Sequence, residues 1–319
     1  MNILVTGASG FVGRALIPKL IDKGNKVYGL SRHPPEANES LIPLEGDVTK
    51  PDLGLPESLL KGVKISAVHH LAGIHRLDEE RAVDILRTNV EGTRNVLKFC
   101  LRNKVGHLYF CSTAFTLGRN TYEKSKVLNE QEVKEFCSKH HIRLTIFKPS
   151  IIMGTAEHPY PGHFSQFIAL VIKIHQRAEL VRRRLEGDLR LPVIEPVFRI
   201  KGNAQGTLNM ITVEEVARAM ACTRRAGTYW LTNPKPPTLE QLVTWSGEFI
   251  MVNISVLEEF KATPIEASFQ KRAQAFEPYL MGDDFPSDMA IVQPINRHFI
   301  QGTIKGLLSK RPKEGNQPK

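Results

Sequence analysis

Four cysteines, Cys100, Cys111, Cys137 and Cys222, are all that this 319-residue chain contains, and their spacing neither pairs them nor groups them with histidines. A disulfide framework and a cysteine-based metal site are therefore not expected, and a reducing, cytoplasmic setting fits best. No apolar run approaches the roughly 20 residues that a membrane-spanning helix needs. The first apolar run begins at Ile3, so no signal peptide is expected. Internal repeats are missing too. Acidic residues are the scarcer charge, 33 against 43 Lys and Arg, for a net charge of +10. A basic excess raises nucleic acid as a partner, yet no basic helix with interleaved aromatics and no nucleic-acid module is visible. Two readings stand ahead of it: a solvated basic face, or a surface for an anionic substrate. The densest cluster is Arg182-Arg183-Arg184, with Arg177 and Arg190 nearby, and residues 306–319 read as a basic flexible tail.

What is present begins at the first residue. Ile3-Leu4-Val5 is a short apolar run of buried-strand type, and Phe11 to Leu20 has helical periodicity. Between them Gly7, Ser9, Gly10, Phe11, Val12 and Gly13 make a glycine turn that opens a helix. Glycine allows close approach of phosphates, and a helix start supplies unpaired N–H groups, so the stretch reads as a dinucleotide pyrophosphate site. A plain strand-to-helix turn is the bland alternative. Val27 to Leu30 is a second strand, ending in Ser31-Arg32. A carboxylate at this point would meet ribose hydroxyls, whereas Arg32 offers a charge to a 2′-phosphate, which predicts NADPH over NADH. Leu41 to Leu44 is a third strand. Val68 to Leu71 is a fourth, running into Ala72-Gly73, whose small side chains leave room for a cofactor. His69 and His70 are adjacent on that strand and face opposite ways, so they read as structural rather than metal-ligating.

Leu108 to Cys111 is a further strand, delivering Ser112-Thr113-Ala114 at the carboxyl edge where ligand chemistry collects in doubly wound sheets. Tyr122 and Lys126 follow on a helix running to about Ser138, four residues apart and hence on one face. A carbonyl that receives hydride must also receive a proton, and a phenol with a pKa of about 10 gives one up slowly at neutral pH. An ammonium about 4 Å away stabilises the phenolate by up to roughly 4 kcal/mol at an effective dielectric of 20. Thr113 supplies a neutral donor to the same oxygen. Thr113, Tyr122 and Lys126 are therefore the expected catalytic set.

The glycine loop, the Ser-Thr strand end and Tyr122-Glu123-Lys124-Ser125-Lys126, in that order, resemble the extended branch of the short-chain dehydrogenase/reductase superfamily, including its epimerase/dehydratase-like members. Asn89-Val90-Glu91-Gly92-Thr93 and Pro149-Ser150-Ile151-Ile152-Met153-Gly154 match its phrases as well. Within that branch, residues 200–213, His69-His70-Leu71-Ala72 and Phe276-Glu277-Pro278-Tyr279-Leu280 are similar to the thioester-reductase and fatty acyl-CoA reductase (male-sterility) group. The resemblance implies an α/β fold with a doubly wound, mostly parallel Rossmann sheet and a smaller mixed substrate lobe. It implies that Asp47-Val48 meets the adenine, that Leu71, Ala72, Gly73, Asn89, Pro149, Ser150 and Ile151 lie along the cofactor, and that Lys126 also holds the ribose. It covers residues 1–155 clearly, 196–235 fairly and the remainder thinly.

The resulting expectation is a dinucleotide-binding domain over 1–155 with a returning strand near 226–233, and a lobe over 156–305 that mainly binds substrate. The favoured activity is NADPH-dependent reduction of an acyl thioester or aldehyde, on a small-molecule or carrier-bound substrate. A nucleotide-sugar epimerase/dehydratase, a reductase of a hydroxyl-bearing small molecule and a non-catalytic NADP-binding regulator remain open. Only eight residues, Ala114 to Thr121, separate Thr113 from Tyr122, fewer than in most relatives, which leaves the shape of the substrate entrance unsettled.

Overall fold

A computed structural model describes the chain except for residues 78, 156–168, 174–175, 177–179, 181, 185, 189–196, 291 and 310–319. The chain divides into two compact units. The first comprises residues 1–150, 213–234 and 285–292, and the second comprises 151–212, 235–284 and 293–319.

The first unit is built on a seven-stranded sheet in which every pairing is parallel. Its strands are β1 (Asn2–Thr6), β2 (Lys26–Ser31), β3 (Leu41–Glu45), β4 (Ala67–His70), β5 (His107–Cys111), β6 (Arg143–Pro149) and, from later in the chain, β10 (Gly227–Leu231). The order β10-β6-β5-β4-β1-β2-β3 reverses direction between β1 and β4, and ligands of open α/β sheets bind at such a reversal. Parallel neighbours need crossovers, and helices supply most of them, whereas residues 32–40 join β2 to β3 without one. The helices include α1 (Phe11–Ile21), α2 (Ala82–Leu86) continuing through a π-helical turn at Arg87–Glu91 into α3 (Gly92–Arg102), and α4 (Thr121–Lys139). Central strands read as near-continuous apolar runs because helices cover both faces; Leu4, Val68, Leu108 and Ile146 are buried in one cluster with Val96, Phe99 and Val133.

The unit takes more than the returning strand. The helix Val213–Cys222 packs on α1, and Phe285–Val292 belongs to it as well. This last segment runs along β10, where Asp288 N–H donates to Trp230 O at 3.0 Å and Asp288 Oδ2 accepts from Trp230 N–H at 2.7 Å. The bonds satisfy backbone groups on what is otherwise a free sheet edge.

In the second unit β7 (Ile151–Met153) pairs with β9 (Met210–Thr212), and β8 (Phe198–Lys201) pairs with β11 (Ile254–Leu257), both in parallel. Helices Leu239–Ile250 and Pro264–Ala273 each begin with a capping box, from Thr238 with Gln241 and Thr263 with Glu266. The apolar helix expected over Phe164–Leu180 falls mostly outside the described residues. Residues 306–309, expected to open a flexible tail, instead complete the helix Arg297–Ser309, and the rest of that stretch lies outside the described residues. Ile300 and Ile304 sit fully buried on one face of that helix, which packs on Leu239–Ile250 and carries the helix past 306.

Candidate active site

The glycine loop has the geometry that the chemistry requires. Gly7 has φ 71°, a left-handed conformation that favours glycine, and a Cβ there would come within 2.9 Å of Ala72 N. A Cβ at Gly13 would overlap the carbonyl oxygens of Gly7 and Ala8. α1 starts from Gly10 with no side-chain cap and no acidic residue in its first turn. The helix start therefore leaves its N–H groups and positive dipole end to an anion. These features fit a dinucleotide phosphate.

Around that loop most of the other expected cofactor residues fall at carboxyl ends of strands. Leu71 N–H donates to Thr6 O, and Ala72 N–H to Thr6 Oγ1, each at 3.3 Å. Thr6 Oγ1 lies 2.7 Å from His70 Nδ1, whose Nε2 lies 3.0 Å from Thr93 Oγ1. His70 is thus a buried tie between β1, β4 and α3, and burial lowers its pKa to about 3, with a further push from Lys126. Asn89 lies in the π-helical turn and is almost wholly buried. Its side chain accepts from Ile74 N–H at 2.7 Å and donates to Ile74 O and Ser125 Oγ, each at 3.0 Å. Its carboxamide is taken up by protein groups that fix the strand end at Gly73. There a Cβ would come 3.2 Å from Asn89 Oδ1 and 3.7 Å from Lys126 Nζ.

At the ends of β2 and β3, Ser31 Oγ is buried without a hydrogen-bond partner, and Arg32 is exposed. Asp47 Oδ1 accepts from Thr49 N–H and Oγ1–H, both at 2.9 Å. Burial raises the Asp47 pKa, but the Thr49 bonds, with Arg32 and Lys50 adding their charge, outweigh it and hold the carboxyl below its usual value. Val48 is buried against Gly92, where a Cβ would meet Val48 Cγ2 at 2.9 Å. Ser150 is buried at the end of β6, its Oγ also without a partner, while Pro149 O accepts from Ala114 N–H at 2.8 Å. Ile151 opens β7 and belongs to the second unit.

The residues expected to be catalytic lie just past the end of β5 and on the first turns of α4. Thr113 is buried, and its Oγ1 accepts from Phe115 N–H at 3.2 Å, which leaves the hydroxyl proton to donate elsewhere. Lys126 Nζ donates to Cys111 O at 2.9 Å and lies 5.9 Å from the centre of the half-buried Tyr122 ring. Lys126 is itself buried, and loss of hydration pushes its pKa below the ordinary value, partly offset by Cys111 and Glu130. One ammonium therefore sits at the strand end two residues before Thr113 and over the face of the Tyr122 ring.

The short connection before Tyr122 is held at its end. Asn120 caps α4 by accepting from Glu123 N–H at 2.9 Å. The fully buried Glu123 accepts from Arg119 N–H at 3.0 Å and Arg119 Nε at 2.9 Å, and Glu79 accepts from both Thr121 N–H, at 2.9 Å, and Thr121 Oγ1. Neither carboxylate stood out in the sequence, although Asn120 three residues before Glu123 is a helix-start pattern.

Residues 3–227, more than half of the chain, match the NAD dependent epimerase/dehydratase family. The chain belongs to that family. It is an extended short-chain dehydrogenase/reductase, an NAD(P)-dependent enzyme. Similar sequences include the hybrid PKS-NRPS synthetase pvhA of Talaromyces variabilis, 26% identical over 69% of this chain and 6% of the synthetase. A UDP-glucose 4-epimerase of Azospirillum brasilense is 27% identical over 57% of this chain and 58% of the epimerase. The chain thus spans less than two thirds of either protein. A 2-alkyl-3-oxoalkanoate reductase of Stenotrophomonas maltophilia is 27% identical over 76% and 74% of the two chains. Among solved structures, the terminal R domain of the myxalamid PKS-NRPS pathway superposes with a TM-score of 0.68 at 20% identity, covering 98% of this chain and 92% of that one. A UDP-glucose 4-epimerase of Thermotoga maritima gives 0.68 at 16%, covering 97% and 99%. At these identities the structural likeness establishes the fold. Both reductases and epimerases are therefore relatives of this extended short-chain enzyme. Among its described residues no helix is long and apolar enough to cross a membrane, and no three-residue group is set to hold a metal.

Proposed function

We propose that the enzyme reduces a carbonyl, an acyl thioester or aldehyde, with NADPH as the external reductant. The observation that carries the reading is Lys126 Nζ, shared between Cys111 O beside Thr113 and the face of Tyr122. Gly7, Ser9, Gly10, Phe11, Val12 and Gly13 would hold the pyrophosphate, Ser31 and Arg32 the 2′-phosphate, Asp47 and Val48 the adenine side, and Lys126 the ribose. Leu71, Ala72, Gly73, Pro149, Ser150 and Ile151 would line its path, with Asn89 fixing the end of β4 that carries the first three. When bound, NADPH supplies the hydride. Thr113 Oγ1 donates a hydrogen bond to the carbonyl oxygen, where negative charge develops. Tyr122 gives that oxygen its proton, and the phenolate left behind is stabilised by the buried Lys126 ammonium. A thioester so reduced yields a hemithioacetal, which releases thiol and aldehyde.

The synthetase and R-domain likenesses favour a carrier-bound acyl group, and the epimerase likenesses keep a nucleotide sugar as the second reading. An epimerase returns its hydride within each cycle, so the two readings separate on net cofactor oxidation. A screen of NADPH consumption against acyl thioesters, aldehydes and nucleotide sugars should find turnover with the first two. Turnover of a nucleotide sugar with no net NADPH loss would overturn the proposal.

Cofactor choice is testable at Arg32. Losing a charged hydrogen bond costs about 1.5–3 kcal/mol, so Arg32→Ala should weaken NADPH on the order of ten- to a hundredfold and leave NADH nearly unchanged. Equal losses by titration for the two cofactors would show that Arg32 does not read the phosphate.

The basic cluster offers a test of substrate class. Arg182 is half-buried and pairs with Glu186 at 3.3 Å, and Arg183 and Arg184 are exposed; Arg177 and Arg190 lie outside the described residues. Neutralising Arg182, Arg183 and Arg184 should raise KM for a carrier- or CoA-bound acyl group and spare a short aldehyde. Added salt should mimic the change, since exposed charges are screened over about 8 Å at physiological ionic strength. A salt-insensitive KM would return the cluster to a solvated face.

A further inference from the structure

Beside Tyr122 and Lys126 lies a buried ion pair that the proposed chemistry leaves unused. Lys148 in β6 and Glu130, one helical turn beyond Lys126 on α4, are both buried, with Lys148 Nζ 3.0 Å from Glu130 Oε1. Two charges taken out of water lose their hydration, and a well-packed apolar pair commonly folds as well or better. This pair does what an apolar pair could not. Ser112 Oγ donates to Glu130 Oε1 at 2.5 Å, and Lys148 Nζ donates to Thr116 Oγ1 at 3.3 Å. Ser112 precedes Thr113, and Thr116 follows Phe115, whose N–H is the partner of Thr113 Oγ1.

The sheet explains how the four residues meet. Ser112 N–H donates to Phe147 O and Ala114 N–H to Pro149 O, so the parallel ladder runs on past β5 with Ser112 beside Lys148. Lys148 stands in register with Trp230 of β10, and its Nζ lies 4.6 Å from that ring. Exposed Lys134 adds only a distant contact, 3.9 Å from Glu130 Oε2. Past Ala114 the ladder gives way, and the grip of Lys148 on Thr116 takes over.

We propose that Glu130 and Lys148 are positioning residues that bracket the Thr113 segment from both sides, aiming its hydroxyl through Phe115. The inference rests on the reading of Thr113 as donor to the carbonyl. It accounts for two buried charges at the sheet edge where the chemistry is placed.

Two double variants test it. Ser112→Ala/Thr116→Val releases both grips and leaves the ion pair whole, so folding is the least threatened. Glu130→Leu/Lys148→Met removes the pair without leaving an unpaired charge. In whichever folds, kcat for NADPH-dependent reduction should fall at least tenfold, while KM and NADPH affinity stay within about threefold. Amide hydrogen exchange over 112–116 should quicken by a similar factor, with the rest of α4 unchanged. A kcat within twofold of wild type, in a folded double variant, overturns the proposal even if exchange quickens. If wild-type protein reduces nothing, the carbonyl-reductase reading fails by itself. Exchange then judges the bracket, and equal rates in wild type and Ser112→Ala/Thr116→Val overturn it.

Discussion

Tyr122→Phe should bind NADPH as the wild type does and turn over about 10²–10⁴ times more slowly, the loss typical of removing a general acid. The substitution keeps the half-buried ring and deletes only the hydroxyl. Lys126→Met should do two kinds of harm. It removes the proposed ribose contact, and it takes away the cation 5.9 Å from the ring centre that is proposed to favour phenolate. Reduction needs the protonated phenol, so the wild-type rate should fall on the alkaline side. In Lys126→Met that limb should move upward, toward the ordinary phenol value of about 10. A limb that stays in place would detach Lys126 from the proton step.

Acid should destabilise the protein already above the range where carboxylates titrate. His69 and His70 are buried, and loss of hydration lowers each pKa from 6.5 to about 3, helped by His107 and Lys126 respectively. His107, stacked on Tyr109 and bonded to Thr145 Oγ1, is lowered to about 4 by burial and by Arg143. The unfolded chain therefore takes up protons that the folded chain refuses. Their stabilising contribution is complete above a pH of about 6.5 and is lost progressively as pH falls toward about 3. At a pH of about 5, His69 and His70 should each have lost roughly 2 kcal/mol, a large share of an ordinary stability of about 5–15 kcal/mol. The melting temperature should drop on the order of 10 °C between pH 8 and pH 5, and His70→Gln should flatten part of that slope. A melting temperature constant over this range would mean that these rings exchange protons in the folded state.

The parts of the molecule legible in sequence are those whose cause is local. The turn at Gly7 is forced by a left-handed φ and by Ala72 pressing close, and glycine spacing after an apolar run signals both. Tyr122 and Lys126 share a face through helical period alone. The partners that hold these groups come from sheet order instead. Thr6 meets His70 because β1 lies beside β4, and Glu130 meets Lys148 because α4 packs over the ends of β5 and β6; no spacing along the chain encodes either. The three-residue β7, Ile151–Met153, is too short to show a period, and Ile254–Leu257 carries only a brief alternation. Arg297–Ser309 was masked by the basic tail that follows it, although Phe299, Ile300 and Ile304 mark a buried face.

The central claim is net transfer of hydride from external cofactor to a carbonyl, with Tyr122 giving the proton. It is tested most directly by one single-turnover reaction of NADPH, dideuterated at the nicotinamide C4, with a saturating acyl thioester, followed by mass analysis of the product. The account predicts one deuterium at the former carbonyl carbon for each NADPH oxidised in the first reduction step, with Tyr122→Phe forming that product at least a hundredfold more slowly. Unlabelled product with the cofactor unconsumed, or label transfer at the wild-type rate in Tyr122→Phe, would contradict it.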